Sequence, residues 1–77
     1  MPKLQAIKAK VLLKKLSLIG YDVIRQKGSH LRLAHREDAN KMNLTVPVHN
    51  NKDISVGLLR KIIRDIDINV ADFNKLK

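Results

Sequence analysis

His30 and Arg32 stand two residues apart in the run Ser29 to His35, where Leu31 and Leu33 alternate with them. Period-two alternation marks a strand with one buried face. It sends Leu31 and Leu33 inward and leaves His30, Arg32 and Ala34 on the open side. Histidine gives or takes a proton near neutral pH. An arginine beside it binds a phosphate through two parallel hydrogen bonds. With Lys27 in the adjoining turn and Arg25 just before it, these types suit phosphodiester cleavage: one group moves a proton while others hold negative charge. RNA supplies its own nucleophile in the 2′-hydroxyl, so such a site requires no metal in principle. Taken alone, the same residues also fit a solvated surface pair that does no chemistry.

The remaining candidates are weaker. His49 follows Val48 with the parity of the open face, where it would serve as a second acid, base or phosphate ligand, or merely cap a loop. His35 has the opposite parity from His30 and reads as a solvated loop residue. Three histidines without matching carboxylate spacing do not make a metal site. Asp22, Glu37, Asp38, Asp65, Asp67 and Asp72 are dispersed, with no pair placed for two-carboxylate catalysis. Ser29 precedes His30 directly, so their side chains point apart and cannot form a nucleophile–base pair.

The elements that must position these residues follow from periodicity and turn signals. Ala9, Leu12, Leu13, Leu16 and Ile19 fall on one helical arc that Gly20 terminates. Strands are predicted over Tyr21 to Gln26, Ser29 to His35 and Asn43 to His49, the first two joined as a hairpin through Lys27-Gly28. Pro47 cannot donate to a ladder and belongs on an edge or at a bulge. Arg36 to Lys41 reads as a polar loop. Ser55 caps a second helix with Val56, Leu59, Ile62, Ile63 and Ile66 inward, and Asn69 with Asp72 opens a short last helix carrying Val70 and Phe73. This order, helix, three antiparallel strands, helix, short helix, predicts an α+β fold with the helices on one face of the sheet.

The chain has 77 residues, the size of a single domain, and no cysteine for a disulfide or thiolate site. Sixteen Lys and Arg against seven Asp and Glu give a formal charge of +9, which calls for an anionic partner. No apolar run reaches the roughly 18 residues of a membrane span, and the start does not read as a signal peptide, so a cytoplasmic protein is expected. Tyr21 and Phe73 are the only aromatics, so RNA would be held through phosphate and shape rather than base stacking. The lysines of the first helix fit an RNA track or a solvated face equally well.

Several strings resemble the HicA family of messenger-RNA interferase toxins. These are Gly20-Tyr21, Val23, Arg25-Gln26-Lys27-Gly28-Ser29-His30 and Arg32-Leu33. Val46-Pro47-Val48-His49, Gly57 with Leu59-Arg60-Lys61-Ile62, and Asn69-Val70 to Phe73 follow in the family's order. The similarity spans nearly the whole chain, and the Arg-Gln-Lys-Gly-Ser-His segment is its most specific part. The resemblance implies a fold like a double-stranded-RNA-binding domain and a metal-independent endoribonuclease whose catalytic histidine corresponds to His30. It also implies a HicB-type antitoxin that covers the active face, messenger RNA as substrate, arrest of translation and growth, and a prokaryotic source. The isolated toxin is expected to be a monomer that enters a larger assembly with its antitoxin. Ile7, Val11 and Leu18 make a second apolar stripe on the first helix, where an antitoxin, another copy or the chain's own ends would pack.

Two functional classes therefore stand side by side. One is a nuclease in which His30 acts as base on the 2′-hydroxyl or acid on the leaving oxygen, with Lys27 and Arg32 on the phosphate. The other is a basic RNA-binding module without catalysis. The importance of His30 for turnover separates them.

Overall fold

Gly28 and Ser29 form the two-residue turn of a tight hairpin. Gly28 adopts φ +58°, as the first central position of a type II′ turn requires. The turn joins β2 (Tyr21–Lys27) to β3 (His30–His35), and β3 pairs in turn with β4 (Leu44–Pro47). All pairings are antiparallel and the strand order is β2-β3-β4. The computed structural model describes residues 3–48 and 52–76.

Among the described residues three helices accompany the sheet: α1 (Ala9–Leu18), α2 (Val56–Asp65) and α3 (Val70–Lys75). Ala9, Leu12 and Leu16 of α1, Leu59, Ile62 and Ile63 of α2 and Phe73 of α3 form one core with Tyr21, Leu33, Leu44 and Val46 of the sheet. The fold is thus α+β with the α-β-β-β-α layout of a double-stranded-RNA-binding domain, as anticipated. Ser55 and Asn69 act as the expected N-caps, their side chains accepting from the backbone N–H groups of Leu58 at 3.2 Å and Asp72 at 2.8 Å.

Two features go beyond the local patterns. Ile7–Lys8 (β1) and Asp53–Ile54 (β5) pair as a small antiparallel ribbon that ties the start of α1 to the start of α2. It half-buries Ile7, so only Val11 and Leu18 of the second apolar stripe stay well exposed, at 43% and 56%. The second feature is a β-bulge in β2. Val23 lies opposite Leu33 and Arg25 opposite Arg32, so Ile24 is an extra residue without its own partner.

Pro47 takes an edge position, since β4 borders the sheet. The Val48 N–H donates to the Ser29 carbonyl at 2.6 Å. Alternation along the ladder then turns the proline nitrogen toward the free edge, where no donor is required.

Candidate nucleic-acid interface

Cross-strand register assembles the open face in rows, because directly opposed residues point to the same side of a sheet. One row is Arg25, Arg32 and Thr45, and the next is Lys27, His30 and Pro47. Arg25, Lys27, His30, Arg32 and Thr45, together with Leu31, line an open cleft of about 440 Å³. His30, Arg25, Lys27 and Arg32 are all exposed, and none of the lining residues is acidic. Arg32 reaches across to β4, its guanidinium donating to Thr45 Oγ1 at 3.5 Å.

The bulge is what allows this composition. Tyr21, Val23, Arg25 and Lys27 are all odd-numbered, and an unbroken strand would present them on one face. Yet Tyr21 is buried in the core while Arg25 and Lys27 line the open cleft. The extra residue at Ile24 reverses the alternation between the two halves of β2. Lys27, expected within the turn, closes the hairpin as the direct partner of His30.

The nearest carboxylate on this face is already engaged. Asp22 lies opposite Ala34, one row beyond Arg25 and Arg32. The Arg36 guanidinium donates to both of its oxygens, at 3.0 and 2.8 Å, and also to the Ser17 carbonyl at 3.2 Å. This fork holds the Asp22 carboxyl below the usual aspartate range and raises Arg36 in return. Asp22 is thereby kept as a structural anchor.

His35 requires a correction. It is half-buried and fully bonded rather than solvated. Its Nδ1 accepts from the backbone N–H groups of Glu37 at 3.2 Å and Asp38 at 3.0 Å. The proton must then sit on Nε2, which donates to the Ile19 carbonyl at 3.0 Å. The ring meets Tyr21 edge-on, with centroids 5.1 Å apart. Gly20, at φ +105°, leaves the space it occupies, since a β-carbon there would fall 2.4 Å from Nε2. The parity expected for His35 is right, but it turns the ring toward the helices, where bonding partners wait.

The lysines in and just before α1 divide. Lys8 pairs with Asp53 at 3.1 Å. The Lys15 ammonium lies 5.3 Å from the Phe73 ring centroid and donates to the carbonyls of Phe73 and Leu76, which clasps α3. Lys10 and Lys14 remain exposed. His49, the candidate second acid or base, lies outside the described residues. Thr45 was not legible as a site residue: its place beside Arg32 comes from strand register, which no local motif encodes.

Fold and face together define a small basic domain with the layout of a double-stranded-RNA-binding domain and, among the described residues, an exposed histidine set among cations. A family model described as the HicA toxin of bacterial toxin–antitoxin systems matches residues 9–68, and the chain belongs to that family. Membership implies pairing with an antitoxin. No curated protein and no solved structure gives a significant match. Among the described residues, no helix is long and apolar enough to cross a membrane.

Proposed function

We propose that the chain is a metal-independent endoribonuclease that cuts messenger RNA at His30 and thereby inhibits translation. The observation that carries this reading is the placement of His30 on an exposed sheet face, directly opposite Lys27 and in the row next to Arg25 and Arg32. An incoming phosphodiester meets a proton-transfer group and fixed positive charge at one place. Lys27, directly opposite His30, balances the charge that builds on the phosphate as the 2′-oxygen attacks, while Arg25 and Arg32 add positive charge one row away. His30 takes the 2′-hydroxyl proton or returns one to the leaving 5′-oxygen. The HicB-type antitoxin silences the toxin by covering this face.

Cleavage of a labelled messenger RNA in EDTA, by the wild type and by His30→Ala, tests the reading. Loss of an acid or base lowers the rate about 10²–10⁴-fold. Cutting by the wild type alone, with the variant still folded and binding RNA, is the expected result. No cutting by either would instead favour a basic RNA-binding module, and equal cutting by both would remove His30 from catalysis.

A further inference from the structure

Arg25 and Arg32 face each other directly across β2 and β3, on the open side of the sheet. Opposed side chains have β-carbons about 4.5–5.5 Å apart, and like charges in that position destabilise a sheet. Arg36 already occupies Asp22, the nearest carboxylate of that face. Arg32 has only the neutral Thr45 hydroxyl within bonding distance among the described residues. The fold thus sets two cations at directly opposed positions, and among the described residues no carboxylate pairs with either.

The pair sits one row away from Lys27 and His30. Residues two apart on a strand are separated by about 6.4–6.8 Å, twice the rise per residue. That is the scale of the step between neighbouring phosphates of an extended single strand. We infer that Arg25 and Arg32 form a second phosphate subsite, holding the phosphate adjacent to the one cleaved at His30, with the RNA backbone running along the β2–β3 hairpin. This rests on the nuclease reading for the role of the His30 row, but the subsite can be measured without cleavage. A phosphate bridging two guanidinium forks accepts hydrogen bonds from both and offsets their repulsion. With no Phe, Tyr or Trp among the residues lining the cleft, two phosphates rather than a stacked base would set the register of the strand.

The test uses 2′-O-methyl RNA, which binds but lacks the attacking hydroxyl. Its affinity is measured against salt concentration for the wild type, for the double variant Arg25→Gln/Arg32→Gln, and for Arg60→Gln/Arg64→Gln, which removes the same charge from α2. Each phosphate contact contributes about −0.7 to the slope of log affinity on log salt for single strands. The first variant should flatten the slope by about that amount, one phosphate's worth, and the α2 control should not. Its melting temperature should hold or rise, because the repulsion within the pair is gone. An unchanged slope, or equal flattening in the control, overturns the subsite. If His30-dependent cutting nevertheless persists in that case, the nuclease reading survives alone. Failure of the wild type to bind the analogue overturns the subsite as well, and cleavage of ordinary RNA then judges the nuclease reading by itself. On cleavable substrates, the double variant should lose more activity with a trinucleotide, which carries two phosphates, than with a dinucleotide, which carries one. Equal losses on both would also overturn the assignment.

Discussion

Asp22 and Arg36 join the end of α1 to the first strand pair through single side chains. Arg36 bonds both carboxylate oxygens of Asp22 and the carbonyl of Ser17. Because the fork favours the ionised carboxylate, the folded state holds that proton less tightly than the unfolded chain does. The stability gained is therefore present above the ordinary aspartate value of 3.8 and is lost as pH falls through the lower folded value. Asp22→Asn should melt below the wild type at pH 7, by a modest margin because the pair is exposed to solvent. The gap between the two should close progressively below pH 3.8. A gap that stays constant down to pH 2 would show that the carboxylate charge is not what the fork uses. His35 makes a similar point about single residues. Its ring is held by three backbone partners and an aromatic edge, so one of the chain's three histidines is committed to the fold.

At the scale of elements, β2 does two jobs that strict alternation would set against each other. Tyr21 anchors it to the core while Arg25 and Lys27 serve the open face, and the bulge at Ile24 reconciles them. Two single-residue deletions separate register from bulge. Without Ile24 the ladder becomes regular with Val23 opposite Leu33 and Arg25 opposite Arg32, as in the wild type. Without Gln26 the ladder is also regular, but Arg25 falls opposite Leu31 and turns toward the helices. Both variants should fold, each losing on the order of 1–2 kcal/mol in urea melts. Only the Ile24 deletion should keep wild-type affinity for RNA. Weaker binding by the Ile24 deletion than by the Gln26 deletion would show that the bulge's twist, rather than the parity it sets, matters for the face. The bulge has a further consequence at this scale, since it interrupts the outer strand and makes that edge a poor template for pairing with another sheet.

For the whole molecule, a formal charge of +9 is confined within a radius of gyration of 11.8 Å. That radius is close to the screening length of about 10 Å at 0.1 M salt, so most cations repel one another at low ionic strength. Three ion pairs among the described residues offset little of this. Added sodium chloride should raise the melting temperature while it weakens RNA binding. For a domain of this size each kcal/mol gained reads as about 4–8 °C. A melting temperature that falls with salt would mean that the ion pairs outweigh the repulsion. On the proposed reading, the same charge excess that draws in an anionic strand also weakens the fold that carries it.

The order of elements was readable because its signals are local. Leu12, Leu16, Leu59 and Ile62 recur at helical spacing, Ser55 and Asn69 are good caps, and Gly20 and Gly28 take backbone angles that other residues avoid. Alternation also placed His30 and Arg32 on one face and the leucines on the other, since side-chain direction in a strand depends only on parity. Contacts between distant segments were not readable in this way. The β1–β5 ribbon joins segments some forty-five residues apart, as its register of Ile7 with Ile54 shows. The bulge is visible only against the strand opposite, so the rows of Arg25 with Arg32 and Lys27 with His30 emerge only on pairing. Whether His35 meets water or three backbone groups depends on how Ile19, Glu37 and Asp38 come together around it. The sequence by itself determined that His30 and Arg32 share the open face of their strand. Tertiary pairing alone decided which residues stand side by side, because parity is a property of one strand and register is a property of two.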